Sequence, residues 1–365
     1  MSLHSNDFPG GRVRVAAAHI ASVMLDPEQS LLKACQWIER AADQSVELIV
    51  FPESYLPGFP LWNALLRPID GHAMFQRFAA ASVRIDGTEI ARLRDVAKRC
   101  RIHVSVGFSE RSEHSPGCLW NANVLIGSDG SLLNHHRKLV PTFYEKLSWN
   151  RGDAAGLRVC ATQLGRIGSL ICGENGNPLS RYVLMAQGEQ LHTANYPPVW
   201  PFTDPGEGEG FSLQDAIRLR AAAQAFEGKC FVIVSAGFLD EASIAVISQG
   251  DAQADALLRA CPRSASMVVG PSGQPVGQVL EQEEGLVVAD VDLDSLVPLR
   301  QHHDMAGYYN RMDLIEVHVD DRRPEPLYSR ASQARAVSAS ERVTEGGDPQ
   351  IAAADTLPGG FRPAS

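Results

Sequence analysis

The sequence predicts an α/β fold built on two β-layers, and three observations carry that expectation. Strand-like apolar runs recur along the chain with helical patterns between many of them. One run, "VELIVFPE", is almost continuously apolar, as in strands covered on both faces. Finally, "NVLIGSDGSLL" and "SMVVGPSGQPV" both read as strand, small-residue turn and second strand. They fall in the earlier and later halves of the chain, which points to two similar layers facing each other.

In chain order, "RVRVAAAHI" reads as a strand. The helix "PEQSLLKACQWIERAADQ" follows, with Leu31, Leu32, Cys35, Ile38 and Ala42 at i, i+3/i+4 spacing. After "VELIVFPE", a second helix over "GTEIARLRDVAKRC" leads into the strand "IHVSVGFSE". "NANVLIGSDGSLLNHH" is a hairpin around Ser-Asp-Gly, and "GRIGSLIC" is a strand that stops on a cysteine. Pro178 then signals the first turn of a helix over "LSRYVLMAQGEQ". "GEQLHTANYP", "KCFVIVSAGF", "SASMVVG" and "GLVVADVDL" are later strands, with a long helix across "FSLQDAIRLRAAAQAFEG". The expected domain covers residues 1–322. Residues 323–365, rich in Ala, Ser, Pro and Gly and nearly free of large apolar side chains, bury too little surface to offset ordering entropy and read as a flexible tail.

Composition narrows the function. A net charge of −10 argues against nucleic acid or an anionic membrane as the main partner. No apolar run approaches the roughly 20 residues that span a bilayer. The start of the chain lacks the charged, apolar and cleavage-site pattern of an export signal, so a cytoplasmic location is expected. Seven cysteines, an odd number at long spacings without a C-x-x-C pair, fit reduced thiols better than a disulfide framework or a zinc site.

Three predicted strands end on polar residues of complementary chemistry: "VELIVFPE" on Glu53, "GSLLNHHRK" on Lys138 and "GRIGSLIC" on Cys172. In strand–helix alternation the carboxyl ends of strands line the ligand crevice, so these three can converge from distant positions. A thiol near its ordinary pKa is mostly protonated at neutral pH and needs a base or a nearby cation to attack. Glu53 suits the base. Lys138 suits the cation that steadies the thiolate and the charge developing on the substrate. The helix signalled by Pro178 would begin just after Cys172, with an N-terminal dipole that favours anions, and the Gly173 N–H is expected as an oxyanion donor. Each residue also has an ordinary role. A strand-end glutamate serves as a loop acid or helix cap, Lys138 beside Arg137 and His136 as a surface turn, and a single cysteine as core. Spacing alone nominates the trio without fixing an enzyme class.

At these residues the sequence resembles the nitrilase superfamily of carbon–nitrogen hydrolases, from roughly Val13 to Val319. "FPESYLPGFP" resembles the segment around the family's catalytic glutamate, which falls on Glu53. "HHRKLVPTFYEKLSWNRGD" resembles the lysine motif, with the lysine on Lys138 and a second structural and catalytic glutamate on Glu145. "CGENGNPLSRYVLMAQGEQLH" resembles the nucleophile motif, with the nucleophile on Cys172, and "DMAGYYNRMDL" a terminal motif of nitrilases. The lysine and nucleophile motifs are more similar to the nitrile-hydrolysing branch than to the amidase or carbamoylase branches. Two departures bear on the pocket: Gly173 stands where many nitrilases have Trp, and Gly152-Asp153-Ala154 where Gly-Asp-Gly is common.

The resemblance implies a four-layer α-β-β-α sandwich without a metal or organic cofactor. It implies hydrolysis of an organic nitrile to the carboxylic acid and ammonia through a covalent thioimidate and thioester on Cys172. The partners expected are that small-molecule nitrile and further copies of the chain: a homodimer, with the helix after Cys172 as one contact, building larger homo-oligomers or spirals. An amidase or N-carbamoyl hydrolase with the same Glu-Lys-Cys set is the nearest alternative. A non-catalytic filament-forming scaffold is the alternative of another class, and the intact trio speaks against it. His135, His136 and His192 match no metal-ligand spacing and are expected to serve as hydrogen-bonding supports. Tyr55, Trp62, Tyr144, Trp149, Tyr196 and Trp200 lie in or beside the motif segments, and Tyr55 and Trp200 are the chosen pocket candidates.

Overall fold

The computed structural model describes residues 9–202 and 211–324. The segment expected to be a flexible tail lies, from residue 325 on, outside the described residues. The elements open with β1 (Arg12–His19), α1 (Pro27–Asp43), β2 (Leu48–Val50), α2 (His72–Ala81), α3 (Thr88–Cys100), β3 (His103–Arg111), β4 (Leu119–Ile126) and β5 (Leu132–Arg137). The chain continues with β6 (Cys160–Thr162), β7 (Gly165–Ile171), α4 (Pro178–Ala186), β8 (Leu191–Tyr196), α5 (Leu213–Gly228) and β9 (Phe231–Ala236). Then come α6 (Glu241–Ser248), α7 (Ala252–Ala260), β10 (Met267–Val269), β11 (Gly285–Asp292) and α8 (Leu296–His302).

The strands form two sheets, in the orders β11-β1-β2-β3-β4-β5 and β10-β9-β8-β7-β6. Alternation along each strand sends neighbouring side chains to opposite faces and so creates separate cores. Val15, Leu48, Val50 and Val287 of the first sheet pack against Ile167, Leu191 and Ile233 of the second. The next residues along, Ala16, Ile49, Val104 and Val124, face outward onto Leu31 and Ile38 of α1 and Ile90 and Leu93 of α3. On the far side, Ala194, Val232 and Val234 meet Leu213, Ile217 and Ala221 of α5. The result is four layers in the order α-β-β-α, as the resemblance implied.

The two predicted hairpins do fall in different sheets. The first pairs β4 with β5 along its length. The second keeps only β10 as a strand; its return limb meets it through single bridges, Val269 to Pro275 and Ser266 to Leu280. Pro271 and Pro275 lack the N–H that a ladder needs, which accounts for the shortening. Helices α6 and α7 carried a signal that periodicity left unread. Asp240 accepts from Ser243 N at 2.8 Å and Asp251 from Gln253 N at 2.8 Å, each an N-cap.

Candidate active site

Glu53, Lys138 and Cys172 follow the ends of β2, β5 and β7, and the fold brings them together. Glu53 is held from both sides. Its N–H donates to the Tyr196 carbonyl at 3.3 Å, and Asn121 Nδ2 donates to its Oε1 at 2.7 Å. Strand β3 passes so close that a Cβ on Gly107 would lie 2.4 Å from the Pro52 carbonyl oxygen and 2.7 Å from Ser54 N, so only glycine fits there. The Lys138 N–H donates to Asn121 O at 2.8 Å, which carries its side chain inward. Glu145 sits in the 3₁₀ turn Phe143–Leu147 and accepts from Thr142 N at 3.0 Å, in a capping box. Cys172 opens another 3₁₀ turn, Cys172–Gly176, and adopts φ +49°. Ser54 (φ +49°) and Phe143 (φ +44°) share this left-handed backbone, so strain collects on the three turns that carry or adjoin Glu53, Glu145 and Cys172.

Lys138 Nζ is the hub. It donates to Glu53 Oε1 at 2.7 Å and to the two oxygens of Glu145 at 2.8 and 2.7 Å. All three side chains are fully buried. Burial alone disfavours the ammonium, but the Glu145 and Glu53 carboxylates outweigh it and hold the Lys138 pKa above the ordinary lysine value. Burial raises Glu145 above the carboxylate range, partly offset by Lys138 and reinforced by the negative charge of Glu53. The Cys172 thiol is pushed well up by burial and by Glu53, against the pull of Lys138. Donor atoms of Glu53, Glu145 and Cys172 lie within 4.8 Å of one another, and the ammonium provides the positive charge between the two carboxylates. Glu53 Oε1 is taken by Lys138 and Asn121, while Oε2 is buried without a partner among the described residues. A proton released by the thiol has that oxygen to go to.

The three histidines are engaged in separate places. His135 Nε2 lies 2.8 Å from Glu110 Oε2, and His136 Nε2 lies 2.9 Å from Glu174 Oε2. His192 bridges Asn175 Oδ1 and Glu189 Oε1, both at 2.8 Å. Asn175 in turn donates to the carbonyls of Leu170 and Cys172 at 3.2 and 3.0 Å, fixing the nucleophile turn. Sequence spacing did not find Asn121, Glu174 or Asn175 in these supporting roles. Asn121 carried a faint signal: with Asn123 it is one of two polar residues in a largely apolar strand.

A cavity of about 450 Å³ opens onto Cys172 and Gly173. Its walls include Phe143, Trp200, Phe202, Phe211 and Leu213, with Thr142 and Arg220 as further polar lining. Trp200 is where it was expected, stacked on Tyr144 with ring centroids 4.3 Å apart. Tyr55 is not a pocket residue. It is fully buried in the core between the first sheet and its helices, 5.4 Å from the Phe51 ring, because left-handed Ser54 turns the next side chain away from the cavity. The helix after Cys172 begins where Pro178 signals it, but not directly against the thiol. The 3₁₀ turn comes first, and α4 starts at Pro178 with Asn177 as its cap, so its dipole is one turn removed from the thiol.

Comparison with known proteins bears on this arrangement. Residues 14–301 match the model of the carbon–nitrogen hydrolase family. A nitrilase from Paraburkholderia phymatum is 33% identical over 86% of this chain and 88% of its own. An arylacetonitrilase from Hypocrea virens is 33% identical over 84% and 92%. Among solved structures, the C. elegans NitFhit protein superimposes with a TM-score of 0.64 at 21% identity, over 88% of this chain and 71% of that one. Nit3 of Saccharomyces cerevisiae, from the nitrilase superfamily, gives 0.63 at 17% identity, over 84% and 99%.

Proposed function

The chain belongs to the carbon–nitrogen hydrolase family, and from that premise we propose that it is a nitrilase acting through Cys172, Glu53, Lys138 and Glu145. The observation that carries the reading is the unpartnered Glu53 Oε2, buried in the same cluster as a protonated thiol at the foot of a cavity. The nitrile-hydrolysing relatives support the substrate class.

In the proposed reaction Glu53 takes the thiol proton as Cys172 Sγ attacks the nitrile carbon. The C≡N π electrons move to nitrogen, which takes the thiol's proton from Glu53, and a thioimidate results with Glu53 again a carboxylate. Lys138 and the Gly173 N–H stabilise the developing negative charge. Water, losing its proton to Glu53, adds to the thioimidate carbon. Glu53 passes that proton to nitrogen, the second proton of the added water follows as its oxygen becomes the carbonyl, the C–N bond breaks, and ammonia leaves a thioester. A second water, again deprotonated by Glu53, displaces the thiolate, which takes the proton back from Glu53 as the acid is released. Glu145 orients Lys138 through two charge-assisted hydrogen bonds. The same groups would also serve amide hydrolysis. Ammonia release from paired nitriles and amides tests the assignment, and faster turnover of the amide in every pair would overturn it.

We also propose that the chain self-associates through the helices beside the site. Leu179 on α4 and Leu219 and Phe226 on α5 are exposed, an arrangement that favours burial by another copy. Light scattering on the purified protein should show a dimer or larger species. A monomer at micromolar concentration would count against it.

A further inference from the structure

We propose that Arg220 selects substrates bearing a carboxylate, so that the preferred nitrile is an acid-substituted one; this rests on the nitrilase reading above. The cavity over Cys172 is walled by aromatic and aliphatic side chains, and Arg220 is the one cation among its described lining residues. Neither site carboxylate is ion-paired with it; Glu53 and Glu145 both pair with Lys138 instead. Two other arginines withdrawn from solvent have an anion, Arg137 paired with Glu110 at 2.6 Å and Arg181 with Glu227 at 2.8 Å, whereas Arg263 and Arg300 are met by backbone carbonyls. Arg220 has no carboxylate within ion-pair distance among the described residues. A half-buried guanidinium at an apolar wall is costly unless an anion meets it, and here the ligand can supply one.

Its position suits that role. A Cβ on Gly176 would lie 3.4 Å from Arg220 Nε and 4.0 Å from Cδ, so the stem of Arg220 passes over the turn that opens with Cys172. From there the charge is felt at both Cys172 and Tyr196, where it opposes the upward push of burial on their pKa values. A substrate whose carboxylate docks in the guanidinium fork can lay its carbon skeleton along Trp200 and Phe211 and still present the nitrile to Cys172. The chain's net charge of −10 repels anions at long range, which makes a local cation necessary for such a substrate to bind.

The test is a series of nitriles carrying a carboxylate, with spacers from one methylene to a phenylmethylene, each matched to its neutral carboxamide isostere. Disappearance of the nitrile is followed with the native protein and with Arg220→Gln. At the best spacer the native protein should prefer the carboxylate in kcat/KM. Arg220→Gln should lower the carboxylate-to-carboxamide ratio by about 10- to 100-fold, mainly through KM, the scale of a charge-assisted hydrogen bond. A native protein without preference at any spacer overturns the inference and decides the matter even if the variant fails to fold. Equal losses for both members of each pair also overturn it, since they would assign Arg220 to the thiolate instead. No turnover of any nitrile, charged or neutral, would remove the nitrilase reading and this inference with it, a result distinct from absent preference.

Discussion

Glu174 and His136 meet at 2.9 Å in the interior, and through that contact the turn carrying Cys172 is fastened to the strand end carrying Lys138. One Glu174 oxygen accepts from Leu139 N at 2.5 Å, and the other accepts from Ile171 N at 2.9 Å as well as meeting His136. A single carboxylate thus ties the residue after the lysine to the residue before the nucleophile. Burial opposes its charge, but His136 and the two backbone donors outweigh burial and keep its pKa below the ordinary value.

Glu174→Gln puts an amide NH₂ among donors and leaves at least one of them unpaired. A lost buried hydrogen bond of this kind costs about 1–3 kcal/mol. If the tie positions the reacting groups, kcat falls by about 10- to 100-fold with KM little changed, and the melting temperature drops. Steady-state kinetics beside thermal unfolding check this. A lower melting temperature with kcat intact would make Glu174 purely structural.

Lys138→Met removes the cation from between two buried carboxylates. Breaking one side of a buried ion pair costs about 3–5 kcal/mol, because the remaining charge is stranded. The variant should therefore unfold at much lower denaturant and be inactive. Adding Glu53→Gln and Glu145→Gln to it should recover stability without recovering turnover. A Lys138→Met protein as stable as the native one would mean that water reaches and solvates the cluster.

The raised Cys172 pKa has a kinetic signature. Its thiol should alkylate slowly with iodoacetamide near pH 7, with a rate that still climbs above the ordinary thiol range near 8.5. Lys138 pulls that pKa down, so a lysine-free variant should alkylate more slowly at every pH. Mass spectrometry of the Cys172 peptide gives the profile. A plateau below pH 8 would show a resting thiolate and contradict the assignment.

Much of this was legible in the sequence, and what escaped was three-dimensional in origin. The strand runs around Ile49, Val124 and Ile233 announce themselves because a strand buried on both faces must be apolar throughout. The clustered residues stood out because Glu53 and Cys172 close apolar runs and Lys138 follows the last residue of the strand Leu132–Arg137. Tyr55 was misplaced because a left-handed Ser54 reverses the direction of the next side chain, and periodicity carries no information on that. Phe211 and Arg220 come to the cavity from a segment outside the motifs, and Phe202 adjoins Trp200 without having drawn notice. The nominated helix after Cys172 was real, yet a 3₁₀ turn separated it from the thiol.

Acid sensitivity should centre on Glu110, which pairs with Arg137 at 2.6 Å and with His135 at 2.8 Å on the outer flank of the lysine strand. Burial pushes its pKa up, but Arg137 and His135 pull harder and bring it from 4.5 to about 2. A depressed folded-state pKa stabilises the fold above the unfolded value. That contribution, roughly 3 kcal/mol at neutral pH, is lost as pH falls from about 4.5 through about 2. Denaturant titrations at stepped pH should show this loss in the native protein and a shallower one in Glu110→Gln. Matching slopes would place the acid-labile group elsewhere.

Gly173 is the position at which cavity size can be tested directly. Among the described residues a Cβ there would meet only Thr142 Oγ1, at 3.0 Å, which a hydroxyl can relieve by shifting a few tenths of an ångström. Gly173→Ala should therefore fold, whereas the ring of Gly173→Trp must enter the space above Cys172 that the 450 Å³ cavity now occupies. The enlarged side chain should cost bulky aryl nitriles more than short aliphatic ones. A shift of about tenfold or more in the ratio of their kcat/KM values is expected, because overfilling a packed pocket costs about 1–3 kcal/mol. Equal losses for both substrates would indicate instead that the indole disturbs the N–H beside the nucleophile. Gly173 would then matter for its backbone, and the reading of it as the residue that sets substrate size would be wrong.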